Sequence, residues 1–281
     1  MTMRDLRSRR GRRDVLLHAM LIVAAISTLG PFVWIALAAF KTQIDLMMGR
    51  VLFVPTLMNF EELLFEATST YAVNFRNSLF VASTSTLIVM VIAFLAGYSL
   101  FRMNWPRWVV NVFLAWALVF NLIPPITLAS AWYELFRTVQ LENAFVAIVL
   151  SHTTLHLPMA LFLLSSFLRA VPREIEDAAY VDGAPIIVML RRIVLPLVLP
   201  GVISTAILVF IFSWNEFPVA LALTSNLTAT VPVSISKLSQ FNEIKYTQMA
   251  AASILSAIPA LLALLFGQRY IVRGLTAGAV K

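Results

Sequence analysis

Six long apolar runs, separated by short charged connections, constrain this chain more than any other feature. They cover approximately Asp14 to Phe40, Asn77 to Phe101, Trp108 to Pro125, Ala144 to Leu168, Leu197 to Leu223 and Thr247 to Gln268. A helix takes about 20 apolar residues to cross the hydrocarbon of a bilayer, so each run has roughly the length of one crossing. With 60% hydrophobic and 12% charged residues among 281, the chain is far more apolar than one soluble core requires. The expectation is an all-α membrane protein with six transmembrane helices in one domain, residues 1–281. The third run is the least regular, because "NLIPPITLASAWYELF" sets Pro124 and Pro125 at its exit, where a proline pair breaks or kinks a helix. The first run follows "RDLRSRRGRRD". It is about twice as long as the apolar stretch of a signal peptide and lacks a small-x-small cleavage pattern, so it reads as a retained first helix.

Basic residues set the orientation, since loops that stay in the cytoplasm carry the excess of Lys and Arg. With the N-terminus inside, 15 of the 21 basic residues become cytoplasmic: Arg4, Arg7, Arg9, Arg10, Arg12, Arg13, Arg102, Arg107, Arg169, Arg173, Arg191, Arg192, Arg269, Arg273 and Lys281. Lys41, Arg50, Arg76, Arg137, Lys237 and Lys245 fall outside. Both termini are therefore expected in the cytoplasm. In the longest external connection, "MNFEELLFEA" has the periodicity of a short helix lying at the membrane surface.

Several chemistries are excluded. The chain has no cysteine, which removes disulfides, thiolate metal sites and cysteine nucleophiles. Its net charge of +7 is spent on topology, and no basic, aromatic-interleaved module is present to bind nucleic acid. A phosphate-cradling loop of the form G-x-x-x-x-G-K-[ST] is missing, because none of the four lysines follows a glycine. Any ATP hydrolysis must come from another chain, and no cofactor is expected on this one.

Charge is concentrated in the connection between the fourth and fifth runs, "PREIEDAAYVDGAPIIVMLRRIVLPLVLPG". Pro172 suits the first position of a helix, and Glu174 and Glu176 suit its positive N-terminal end. Ile175, Ala178, Ala179 and Asp182 share a face before Gly183 and Pro185 turn the chain. A second helix then starts at Pro185, with Ile186, Met189, Leu190 and Ile193 as its apolar stripe. The prediction is helix, glycine turn, helix. An amphipathic connector on lipid headgroups would carry a Lys- and Arg-rich polar face. The acidic first half, with Glu174, Glu176, Asp177 and Asp182, points to a protein partner instead.

The segment "EDAAYVDGAPIIVMLRRIVLP" resembles the cytoplasmic loop signature of permease subunits of bacterial binding-protein-dependent ABC importers: Glu-Ala-Ala, three residues, Gly, nine residues, Ile, one residue, Leu-Pro. Ala178, Ala179, Gly183, Ile193, Leu195 and Pro196 match at that spacing. Asp177 stands where the nominal pattern has Glu, with Glu176 just before it. "FIFSWNEFPVAL" and the terminal "RYIVRGLTAGAVK" resemble the smaller permease of the carbohydrate importers of the maltose-transporter type. The resemblance implies a type I ABC importer permease fold in the bacterial cytoplasmic (inner) membrane. It also implies a second permease as heterodimer partner, an ATPase dimer carrying ATP and Mg, and an extracytoplasmic sugar-binding protein. Residues 172–196 then form the loop that docks on the ATPase, with Glu176, Asp177, Ala178, Ala179, Asp182, Gly183, Ile193, Leu195 and Pro196 as coupling residues.

Polar residues within membrane spans are costly and are functional candidates by default. In the fourth run "SHTTLHLPM" brings Ser151, His152, Thr153, Thr154 and His156 near mid-membrane, with the two histidines one turn apart. Without a third ligand they read as interhelical hydrogen-bonding groups or the lining of a polar path rather than as a metal site. Trp214, Asn215 and Glu216 occupy the outer half of the fifth run. Glu216 has three open roles: pairing with the second permease, hydrogen bonding to solute hydroxyls, or closing an external gate, with pairing or gating preferred. His152, Thr153, His156, Trp214, Asn215 and Glu216 are accordingly the path or gate candidates. A rival class, the ion-coupled secondary transporter, would use Glu216 and His152 as proton carriers, but it normally needs more spans or a repeat pair. A membrane-embedded enzyme would have only the His152/His156 pair to build on.

Overall fold

The computed structural model describes residues 3–239 and 244–277, with side chains for 14–239 and 244–268. The side chains of the arginines ahead of Asp14, and those of the terminal "RYIVRGLTAGAVK", lie outside the described residues. Thirteen helices follow in order among the described residues: α1 Met3–Ala39, α2 Gln43–Met47, α3 Met58–Phe65, α4 Tyr71–Arg102, α5 Arg107–Asn121, α6 Pro125–Thr138, α7 Phe145–Ala170, α8 Arg173–Val181, α9 Ile186–Met189, α10 Leu195–Trp214, α11 Pro218–Leu223, α12 Val231–Lys237 and α13 Tyr246–Ala277. A π-helical turn, Leu190–Val194, joins α9 to α10. No strand occurs among these residues, as an apolar solvent demands of a spanning chain that does not close a barrel.

Five stretches are long and apolar enough to cross a membrane: Asp14–Ala39, Tyr71–Arg102, Phe145–Ala170, Ile186–Trp214 and Tyr246–Gln268. In place of the third expected span stands a bent pair, α5 and α6, meeting at 98°, which makes a sixth crossing where the pair counts as one broken span. Pro125 opens α6 with Pro124 as its N-cap, so the proline pair ends one helix and starts the next. The fifth span also departs from expectation. Hydropathy carries it to Leu223, but the helix stops at Trp214. Asn215 caps it there, and Pro218 restarts the chain as the separate α11.

The chain forms two compact units. The first comprises Met1–Ser69 with Leu238–Leu255. Within it "MNFEELLFEA" is helical as α3, and Asn59 Nδ2 donates to the carbonyls of Ala39 and Lys41, both at 2.8 Å. The buried Lys41 ammonium donates to the Arg50 carbonyl at 2.7 Å and lies 5.0 Å from the centre of the Trp34 ring and 4.8 Å from that of Phe53. Two aromatic faces thus stand in for the water this cation has lost.

The second unit, Thr70–Lys237 with Ser256–Lys281, holds the main core. Val89, Met90, Ala93 and Tyr98 of α4 pack with Ala160, Leu164 and Leu168 of α7 and Val198 and Val209 of α10. Small residues permit this closeness, as is usual where helices associate in lipid. A Cβ on Gly97 would stand 2.9 Å from Leu168 Cδ1, and one on Gly201 would enter the Phe167 ring. A second cluster joins Val81 of α4, Ala129 and Phe136 of α6, Ala147 and Ile148 of α7, and Val219 and Leu223 of α11.

Candidate functional site

Two groups of polar residues emerge from this framework: the loop between α7 and α10, and a seam between α7 and α10 that ends at α11.

In the loop, α8 starts directly after Pro172, with Glu174 and Glu176 in its first turn. Gly183 takes φ +73° with open space around it, a backbone conformation that any Cβ would strain. Hydrogen bonds from Gly183 N to Tyr180 O and from Ala184 N to Ala179 O close the turn, each at 3.0 Å. The apolar stripes divide unevenly. Ala179 and Met189 are buried in the main cluster, and Leu190 and Ile193 pack partly against it. Ile175, Ala178 and Ile186 stay exposed. Sequence periodicity did not single out the most exposed apolar groups, Tyr180 at 79%, Val181 at 85% and Ile187 at 73%. With Asp177 and Asp182, also exposed, they give the loop a tip that is apolar at its centre and acidic beside it. Leu195 and Pro196 open α10 beyond the π turn.

Glu176 does not belong to that tip. Its Oε2 accepts from Tyr98 Oη at 2.9 Å, and its Oε1 from Arg102 Nε at 2.7 Å and from Arg102 Nη2. Tyr98 and Arg102 lie in the last turns of α4, more than seventy residues upstream. Sequence reading counted Arg102 as a topology signal and passed over Tyr98.

The seam begins with His152, fully buried, whose Nδ1 lies 2.7 Å from Ser213 Oγ of α10. Its Nε2 is 3.4 Å from Glu216 Oε2, without the alignment of a hydrogen bond. The Glu216 carboxylate accepts the Val219 and Ala220 amides at 2.8 and 2.9 Å. It therefore caps the N-terminus of α11, where orphan amides favour a negative charge. Within this chain the carboxylate thus meets two amides of α11 and the His152 ring. His156, one turn from His152 with ring centres 6.1 Å apart, stacks on Phe212 at 6.3 Å. Ser151 Oγ, Thr153 Oγ1, His156 Nε2 and Thr205 Oγ1 are buried without a hydrogen-bond partner among the described residues. Such groups are costly in an apolar setting. Trp214 is buried, stacked on Phe210, and donates Nε1 to the Ser256 carbonyl at 3.0 Å. Asn215 is exposed and bonds back to Ile211 O at 2.8 Å. No three His, Asp or Glu converge on a metal-sized site among the described residues.

The helix–glycine–helix loop between α7 and α10 keeps the spacing that resembles ABC importer permeases, and comparison with known proteins bears out that class. The chain belongs to the family described as binding-protein-dependent transport system inner membrane component, whose pattern matches residues 90–277. It is similar to the trehalose/maltose transport system permease protein MalG of Thermococcus litoralis, 34% identical over 96% of this chain and 99% of that one. It is also similar to the trehalose transport system permease protein SugB of Mycobacterium tuberculosis, 36% identical over 73% and 75% of the two chains. A third relative is the sulfoquinovosyl glycerol transport system permease protein SmoH of Agrobacterium fabrum, 32% identical over 92% and 91%. Among solved structures, a chain of a bacterial ABC transporter involved in the import of the acidic polysaccharide alginate shares the fold, with TM-score 0.79 and 19% identity over 93% of this chain and 98% of that one. These findings support the importer permease and set aside the ion-coupled secondary transporter built on Glu216 and His152. Hydrolysis of ATP is the task of a separate subunit.

Proposed function

We propose that this permease forms one half of the translocation path for a sugar or sugar derivative across a bacterial cytoplasmic membrane. It pairs with a second permease, rests on an ATPase dimer that binds ATP and Mg, and receives solute from an extracytoplasmic binding protein. Both termini and the loop 172–196 face the cytoplasm. The relatives' names, covering trehalose, maltose and a sulfoquinovosyl glycerol, support a glycoside-class solute.

The observation that carries the coupling role is the loop tip. Tyr180, Val181 and Ile187 are exposed at the turn that Gly183 makes, flanked by Asp177 and Asp182. An apolar centre with a charged rim is how protein interfaces are composed, and a cleft on the ATPase is its complement. Asp177, Ala178 and Asp182 belong to the docking face, Ala179 and Ile193 to its footing, and Leu195 and Pro196 to its junction with the span. His152, Thr153, His156, Trp214, Asn215 and Glu216 belong to the path and its outer gate.

The test is reconstitution of the assembled complex with a panel of sugars and the matching binding protein. One sugar class should stimulate ATP hydrolysis and accumulate inside vesicles. Solute-driven proton flux through this chain alone, with no ATPase bound, would overturn the reading.

A further inference from the structure

The carboxylates of α8 and its C-cap serve two different purposes. Glu174, Asp177 and Asp182 face solvent, whereas Glu176 turns back toward the spans and has both oxygens engaged by α4. Arg102 Nη2 also donates to the Val171 carbonyl at 2.8 Å, and Val171 is the C-cap of α7. One guanidinium therefore ties together the last turn of α4, the end of α7 and the first turn of α8. The junction is shielded, with the Arg102 side chain 5% and the Glu176 side chain 12% exposed. One turn further along α8, Ala179 is buried in the same cluster as Tyr98. The opposite end of the loop is built differently. There α9 reaches α10 through the π turn Leu190–Val194, a wider coil often found at sites that must adjust.

We propose that Arg102 and Tyr98 are positioning residues for coupling. They make α8 part of the α4–α7 body, so that a push on the loop tip is delivered to those two spans instead of being absorbed by the loop. This rests on the reading of the loop as the ATPase-docking element. The Val171–Pro172 link alone is a single backbone connection, about which a free helix would swivel. Arg is suited to prevent this because its planar fork presents Nε and Nη2 to one carboxylate oxygen while Nη2 spans to a carbonyl. Lysine, a single point donor, would hold one partner at a time.

The experiment uses the full complex, reconstituted with its partner permease, ATPase and binding protein, and reads solute transported per ATP hydrolysed. A parent carrying Val181→Cys, in a chain that otherwise has no cysteine, reports docking by cross-linking to the ATPase. Arg102→Gln is expected to keep that cross-link yet lose roughly tenfold in solute per ATP, within the usual range of coupling between sites. Arg102→Lys should fall between. The exchange Arg102→Glu with Glu176→Arg should recover part of what each single change loses. Tyr98→Phe removes one hydroxyl and serves if Arg102→Gln fails to assemble; a lowered solute-per-ATP ratio is expected there too. Unchanged ratios in Arg102→Gln or Tyr98→Phe, whatever the yield of complex, would make the clamp merely structural and overturn the proposal. Absence of the Val181→Cys cross-link in the parent would sink the docking reading itself, and the clamp with it.

Discussion

Glu216 Oε2 stands 3.4 Å from His152 Nε2 while the same carboxylate caps α11 through the Val219 and Ala220 amides. One side chain thus joins the start of α11 to α7 across the break that ends the fifth span. Glu216→Ala is expected to leave the subunit inserted and assembled but to cut uptake about tenfold or more. Loss of such a cap costs about 1 kcal/mol, which frees α11 without unfolding the spans. Glu216→Gln keeps an acceptor and loses the charge facing His152, so it should fall between. Wild-type uptake by Glu216→Ala would reduce the residue to a local cap. Likewise, His152→Leu with unchanged transport would return the seam to packing.

Gly183→Val tests the turn. Nothing lies within 4 Å of a Cβ at this position, so the penalty is backbone strain of the order of 1–3 kcal/mol and not a clash. It falls on the loop alone, because Gly183 is in no span. Insertion and pairing with the second permease should survive, whereas ATPase binding weakens or hydrolysis stops responding to loaded binding protein. Glu176→Lys acts differently: it sets a second cation against the shielded Arg102 guanidinium and should keep ATPase docking while uptake per ATP falls, as for Arg102→Gln. Normal uptake in both variants would remove the loop from coupling.

The packing of α7 against α10 yields a stability prediction. Gly201→Ala places a methyl inside the Phe167 ring, and overpacking of this kind costs about 1–3 kcal/mol. Thermal unfolding of the detergent-solubilised complex should shift down. Phe167→Leu combined with Gly201→Ala should regain part of the loss, and strict additivity of the two changes would contradict the contact.

Absence of cysteine makes topology directly measurable. Single replacements Val181→Cys and Leu227→Cys, both at positions more than four-fifths exposed, should react with an impermeant thiol reagent from opposite faces of sealed vesicles. Labelling of both from one face would break the six-span, inside-inside arrangement.

The spans were legible because hydropathy over twenty residues is a local property, and the loop because its turn glycine and its helix starts are local too. Pro124 and Pro125 announced a break, but the 98° bend depends on α6 packing against α7 and α11, which no local window contains. The fifth span was overrun to Leu223 because "PVALAL" is apolar. Its separation as α11 depends on a carboxylate turning to cap it, and that is geometry rather than hydropathy. Glu176 was legible as a residue of the charged loop, but not as one that faces inward. Its partners Tyr98 and Arg102 come from a helix two spans earlier, and nothing in the spacing of α8 distinguishes Glu176 from Glu174.

Two glycines leave their mark on α10 as a moving part. Phe167 of α7 sits in the notch at Gly201, and Ile207 of α10 fills the notch at Gly267 of α13. A helix keyed at two heights into different neighbours has no free stroke along its own axis, because sliding would drive each bulky group onto the next turn of backbone. Piston-like travel is closed to it. Axial displacement of α10 has to carry Phe167 of α7 and the Gly267 turn of α13 with it, so the three elements are keyed together at two heights.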